Sequence, residues 1–278
     1  MKYMKKLAEY IKENVINTTE FGKNNFGVSG QTVYDKIINR IRLTSEDKDF
    51  IENSESVFIV NEKQLRQLIK QLKEKNISLN WLDVSNVTDM DNLFNKSKYN
   101  GDISKWDVSN VTTMKGMFAN SEFNGDISKW DVSSVIDMSG LFNYSEFDGD
   151  ISKWDVSNVK YMYFMFKHSK FDGDISKWDV SNVTTMKGMF EVSKFNGDIS
   201  KWNVSNVEDM SEMFANSEFN GDISNWDVRK VWGVNDMFRA SKFNQDISKW
   251  DLSSLKWRYD MFLLCPIKDK YKPKRYQN

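Results

Sequence analysis

From Leu79 onward the hydrophobic positions follow neither a plain helical nor a plain alternating pattern. They follow a longer one. Residues 103–126 read ISKWDVSNVTTMKGMFANSEFNGD, and the chain repeats this unit with small changes. Trp106, Trp130, Trp154, Trp178, Trp202, Trp226 and Trp250 recur every 24 residues, and the other apolar positions move with them. A fixed period of this size predicts coils that stack, because one unit cannot bury its own apolar face. Within the unit, Trp106 and Val108 are two apart and share one side of an extended chain. Lys105, Asp107 and Ser109 take the other side. Val111, Met114, Met117 and Phe118 follow at steps of three and one, which suits a tight helical turn, with Asn110 placed to cap it. Phe123 returns to the core, and Asn124-Gly125-Asp126 turns the chain into the next unit. The expected fold class is an α/β repeat solenoid, in which short parallel strands alternate with convex helical turns.

Ahead of the repeats the pattern changes. Tyr3, Leu7, Tyr10 and Ile11 predict an amphipathic helix over residues 2–15, and the glycines of residues 16–30 predict a loop. A second helix is expected over 32–43, with Val33, Ile37, Ile38 and Ile41 inward. Ser45 is placed to cap a short third one. SVFIV at 56–60 reads as a buried strand. Asn61 and Gln64 form a reciprocal capping pair for a helix that carries Leu65, Leu68, Ile69 and Leu72 on one face. Phe58 and Val60 lie 24 residues before Leu82 and Val84, so this right-handed βα unit is the first coil, with a true helix in it. Leu82, not Trp81, holds the tryptophan position. The expected divisions are a small α-helical N-terminal cap (1–55), a βα capping coil (56–78), the repeats (79–262), and a C-terminal cap with a basic tail (263–278).

Composition narrows the function classes. The chain has 278 residues, 39 basic against 40 acidic, and a net charge of −1, so no global field steers it toward nucleic acid. Residues 1–55 carry nine basic and nine acidic side chains without a basic stripe, which argues against a DNA-reading helix-turn-helix there. A single cysteine, Cys265, excludes an internal disulfide. No stretch approaches the ~20 apolar residues of a membrane span. MKYMKKLAEYIKENV lacks the apolar run of a secretory signal, which makes the chain as written cytoplasmic, or virion-associated under a second reading given below.

Little in the chain points to catalysis. His168, the single histidine, has no nucleophile or base nearby in sequence. Asp148-Gly149-Asp150 and Asp172-Gly173-Asp174 offer too few carboxylates per loop for calcium and read as turns. The tryptophans share a face with valines and read as core. Ser97, Ser121, Ser145, Ser169, Ser193, Ser217 and Ser241 never vary and read as buried hydroxyls bonding turn backbone. Lys105, Asp107, Lys129, Asp131, Lys153, Asp155, Lys177 and Asp179 are expected on a concave sheet, as a solvated face or, alternatively, a polar docking surface. The sharpest break in the repetition is aromatic. Positions held elsewhere by small or polar residues become Tyr161, Tyr163 and Phe164, with His168 nearby and Tyr144 one coil earlier. Clustered exposed aromatics mark contact surfaces, so these five form the candidate partner patch. Neither cofactor nor metal is expected.

The opening I-x-x-W-x-V-x-x is similar to the leucine-rich-repeat strand signature. The asparagine of that signature falls one residue early here, and Asn110 becomes Ser134, Lys230 and Ser254 in other copies, so an unbroken asparagine ladder is not expected. WDVSNVTTMKGMF and FNGDISKWDVSNV resemble the repeats of BspA-like leucine-rich-repeat bacterial surface proteins over about residues 57–262. That resemblance implies a leucine-rich-repeat-like right-handed solenoid at the cell surface. It implies adhesion or protein–protein interaction through a protein partner, and no enzymatic activity. Similar repeats in phage and mobile-element genes imply the second reading, a structural or accessory protein that uses the repeat for docking or display.

Overall fold

The computed structural model describes residues 29–53, 58–72 and 76–277. The helix expected over 2–15 lies outside them. Helix α1 (Gly30–Ile38) starts where the Ser29 hydroxyl accepts the Thr32 N–H at 3.2 Å. It stops earlier than the apolar pattern predicts. Asn39 folds its side-chain amide onto the Asp35 carbonyl, and Arg40 turns left-handed at φ 56°. Ile41 is thereby left exposed. Helix α2 (Ser45–Asn53) is capped by Thr44, one residue ahead of the expected Ser45. The Thr44 hydroxyl accepts the Asp47 N–H, and the Asp47 carboxylate accepts the Thr44 N–H. Asp47 is fully buried and paired with Lys36 at 2.7 Å. Burial alone would raise its pKa; the hydrogen bonds from Lys36 and Thr44 outweigh that and hold it below the usual carboxylate value.

Strand β1 (Phe58–Ile59) pairs in parallel with β2 (Leu82–Asp83), Phe58 opposite Leu82, at the register the 24-residue offset predicts. Helix α3 (Glu62–Leu72) connects them and buries Leu65, Leu68, Ile69 and Leu72. Its reciprocal cap forms as the sequence indicates: Asn61 N–H to Gln64 Oε1 and Gln64 N–H to Asn61 Oδ1, both 3.0 Å. Trp81 is completely buried against Phe50 and Phe58, so α2 and the first coil share one core.

Beyond β2 the structure overturns the expected fold class. Residues 94–276 hold no repeating strand-and-helix pattern, so the leucine-rich-repeat-like solenoid, and the BspA-like architecture with it, is corrected. The only helical pieces described there are two 3₁₀ turns, Asp269–Tyr271 and Lys274–Tyr276. The I-x-x-W-x-V stretch is a pair of bends: Trp106 N–H donates to Ile103 O and Val111 N–H to Val108 O. Aromatic spacing explains the missing strands. Trp106 and Trp130 lie parallel with centroids 6.4 Å apart, and Phe123 and Phe147 likewise. A strand ladder needs about 4.8 Å. On the tryptophan flank the coils stand too far apart for a strand ladder, and the indole N–H takes over. Trp106 Nε1 donates to Leu79 O at 2.9 Å and Trp130 Nε1 to Ile103 O at 3.2 Å, and the series continues to Trp250 and Ile223.

The coils do meet through backbone on another flank, by single parallel bridges rather than strands. These run Asp89–Thr113–Asp137–Tyr161–Thr185–Asp209–Gly233–Trp257. Around each bridge four N–H groups point the same way. Met90, Asn92, Phe94 and Lys96 donate to Thr113, Lys115, Met117 and Ala119 at 2.8–3.0 Å, and the pattern repeats in later coils. Two left-handed positions per coil make this possible: the series of Asn92, Phe164, Glu212, Asp236, Asp260, and that of Lys96, Asn120, Tyr144, His168, Val192, Asn216, Ala240, Leu264. Gly116, Gly140 and Gly188 fill the first series elsewhere.

Side-chain ladders complete the stack. Asn100 Oδ1 accepts the Asn124 N–H and Asn124 Oδ1 the Asp148 N–H, and Asp148 does the same for Asp172. This ladder extends from Asn76 to Lys268, so the Asp-Gly-Asp turns spend a carboxylate on the next coil. Asn110 does not cap its own turn. Its amide reaches back to Ser85 O at 2.9 Å, and Asn158, Asn182 and Asn206 do likewise, with breaks at Ser134 and Lys230. The invariant serines are buried, and Ser121 Oγ accepts the Phe123 N–H at 3.0 Å. Columns of Phe, Trp, Met and Val form one core from Val33 to Ile267. Each fully buried large side chain contributes about 1.5–3 kcal/mol, so the columns are the main source of stability.

Candidate functional site

The five patch residues lie on the bridge flank as two ring pairs, Tyr144 with His168 and Tyr163 with Phe164, and Tyr161. Tyr161 is itself a bridge residue and is 42 % exposed; Tyr144, one coil earlier, is 48 % exposed. Tyr144 lies flat on His168, centroids 4.1 Å apart and planes 10° from parallel. Burial pushes the His168 imidazole below its usual pKa, and neighbouring Lys167 adds to this. Tyr163 meets Phe164 edge-on at 5.8 Å. Lysines surround both rings. Lys167 Nζ stands 4.8 Å and Lys187 Nζ 5.8 Å from the Phe164 centroid, and Lys115 Nζ 5.8 Å from that of Tyr163. A hydrogen bond with Tyr163 raises the Lys115 pKa. Lys167 also pairs with Glu191 at 2.7 Å.

Backbone geometry marks the same residues. Phe164, Tyr144 and His168 are left-handed at φ 56°, 54° and 53°. Phe164 stands in the column where Gly116, Gly140 and Gly188 stand in other coils. Its ring occupies the space a Gly188 Cβ would need, 2.3 Å from it. Gly188 therefore serves two ends: it adopts φ +58° and leaves room for the aromatic ring of the coil before it.

The lysine–aspartate columns are exposed, but the sheet expected beneath them is absent. Asp107 and Asp131 accept Ser109 and Ser133 through both N–H and hydroxyl, and Asp155 and Asp179 accept the N–H of Ser157 and Ser181. The serine bonds hold Asp107 and Asp155 below the usual carboxylate pKa. These aspartates close turns, and Lys105, Lys129, Lys153 and Lys177 reach solvent beside them. Among the described residues, no group of three or more His, Cys, Asp and Glu is placed to hold a metal ion. Cys265 stands in the serine column, and burial pushes its thiol pKa up.

One exposed cluster escaped the sequence reading. Trp257, Tyr259 and Leu264 stand exposed at the end of the stack, in the columns that hold Tyr161, Tyr163 and His168 four coils earlier. Aligning those columns reveals them. The expected division at residue 263 set Leu264 apart from the repeats, whereas the Leu263 carbonyl still accepts the Ala240 N–H at 2.8 Å.

The fold and this surface define a protein of stacked, turn-rich repeats that presents aromatic side chains on one flank. The chain belongs to the family described as Mycoplasma protein of unknown function, DUF285, which matches residues 63–172 and 165–270. No curated protein and no solved structure matches it. Among the described residues no helix is long and apolar enough to cross a membrane.

Proposed function

We propose that this chain is a non-enzymatic protein-binding scaffold, whose docking patch is Tyr144, Tyr161, Tyr163, Phe164 and His168. The observation that carries the reading is the backbone of Phe164. A bulky residue in the left-handed region costs about 1–2 kcal/mol. The same column accepts glycine in three other coils without disturbing the stack. An aromatic residue there is unfavourable for the backbone, and its two flanking lysines and half-exposed tyrosine neighbours give it an outward face. Aromatic rings edged by cations suit a partner with an apolar anchor and acidic groups around it.

The test is capture of a cross-linked partner from the source cells by the full chain and by the Tyr161→Ser/Tyr163→Ser/Phe164→Ser variant. The reading expects the variant to melt within a few degrees of the parent and to lose the partner. Equal capture by both would refute it. So would a fall of many degrees in melting temperature, since the rings would then be packing elements of the stack.

A further inference from the structure

The bridge flank is polar along the stack: each coil gives N–H groups to the next and receives none from it at those positions. In the penultimate coil Val234, Asp236, Phe238 and Ala240 donate to Trp257, Tyr259, Met261 and Leu263 at 2.8–3.1 Å. In the last coil the equivalent donors are Arg258, Asp260, Phe262 and Leu264, and their N–H groups bond to no described residue. The C-terminal tail covers only part of this end. Ile247 N–H finds Tyr271 O at 2.9 Å, Arg275 finds Leu252 O at 2.9 Å, and the Tyr276 ring packs on Phe262. Beside the uncovered donors Trp257 is 49 %, Tyr259 69 % and Leu264 77 % exposed.

We propose that this edge docks a segment of another protein folded in the same succession of tight turns, one that supplies backbone carbonyls at alternate residues and apolar side chains over Trp257, Tyr259 and Leu264. The donor row fixes the chemistry, because only acceptors at that spacing complete it, as the carbonyls of the next coil do at every interior step. A second copy of this chain does not fit. Its own C-terminal edge presents donors as well. Its N-terminal edge is half occupied by α3, which leaves it short of four acceptors: Arg66 donates to Asp91 O at 2.6 Å and Asp89 O at 3.2 Å, and Glu62 Oε1 accepts the Thr88 and Asp89 N–H groups.

Amide exchange of the full chain, read residue by residue by NMR, tests the proposal. In the free protein the amides of residues 258, 260, 262 and 264 exchange about 100-fold or more faster than those of 234, 236, 238 and 240. The probe is a synthetic peptide of residues 103–126, whose carbonyls at 113, 115, 117 and 119 fill this role inside the stack. At ten times its dissociation constant it slows the edge amides about tenfold and leaves interior ones unchanged. The same peptide with ester linkages after those carbonyls, which are weaker acceptors, protects less. Edge amides as slow as interior ones in the free chain, or unmoved by saturating peptide, overturn the proposal. Equal protection by amide and ester peptides overturns the carbonyl-docking geometry. The Tyr161→Ser variant responds as the parent does, which separates this edge from the aromatic patch.

Discussion

The two ends of the stack are built from the same backbone and finished in opposite ways. At the N-terminal end the coil that follows α3 would expose carbonyls at Asp89 and Asp91 and N–H groups at Thr88 and Asp89. Helix α3 meets both with two side chains one turn apart, Arg66 on the carbonyls and Glu62 on the N–H groups. The Glu62 carboxylate stands in for the carbonyl of a missing coil. Inside the stack, Ile136 O accepts from Lys160 and Tyr161 in the same manner. Helices α1 and α2 then bury the apolar face beneath, through Tyr34 on Phe58 and Phe50 on Trp81. At the C-terminal end no side chain among the described residues meets the donors of the last coil, and aromatic rings lie open beside them. A stack can end either by imitating its next coil or by leaving the position open. Only the first removes the templating edge that unpaired backbone presents.

The largest consequence of that difference concerns tryptophan. Trp81→Ala removes a fully buried ring from the seam between α2 and the first coil. A loss of about 3–5 kcal/mol is expected. Trp257→Ala removes an exposed ring at the other end, and a loss under about 1 kcal/mol is expected. Urea unfolding of both variants measures the contrast. Equal losses would mean that the C-terminal end is as closed as the N-terminal one.

A smaller effect is expected from Arg66→Met, which keeps the side-chain bulk and removes the guanidinium. Two backbone carbonyls and the Asp89 carboxylate lose a charged donor. Such bonds contribute about 1.5–3 kcal/mol when shielded. Arg66 is partly open to solvent, where water replaces some of what is lost, so a net loss of about 1–2 kcal/mol is expected. If stability is unchanged, the N-terminal cap rests on the apolar face of α3 alone, and the hydrogen-bonded imitation of a coil has no energetic weight.

The period, the core columns and the α3 cap were all legible in the sequence, because each rests on side-chain type at fixed spacing. The strand assignment was not. It relied on Trp106 and Val108 alternating with Lys105 and Asp107, a pattern that two successive tight bends reproduce as well as a strand does. What decides between them is the distance between coils. The stacked aromatic rings set that distance on their flank, and a single unit does not reveal it. Tyr161, Tyr163 and Phe164 stand out in the sequence as a departure from the repeat. The left-handed backbone of the patch was not legible: histidine is enriched in the left-handed region, but Phe164 and Tyr144 are not residue types that announce such a conformation. The glycines of that column were the available signal. Gly116, Gly140 and Gly188 recur in register, whereas those of the Asn-Gly-Asp turn are not left-handed.

The smallest effect separates an open edge from a poorly packed one. Leu264 is left-handed at φ 59° and largely exposed. Relieving that conformation with glycine gains about 1–2 kcal/mol in the folded state. Glycine returns about 0.5–1 kcal/mol of it through the greater freedom of its unfolded chain. Leu264→Gly is therefore expected to stabilise the protein by about 0.5 kcal/mol, a rise of 1–2 °C or so in melting temperature. Val192→Gly, at φ 53° in the same column within the stack, gives the reference value for an interior coil. If Leu264→Gly instead lowers the melting temperature while Val192→Gly raises it, the Leu264 side chain is holding the tail in place and the C-terminal end is closed by packing. If both rise together, Leu264 contributes nothing to the isolated fold, and an apolar side chain kept at a backbone cost beside four N–H groups that bond to no described residue fits a use in what binds there.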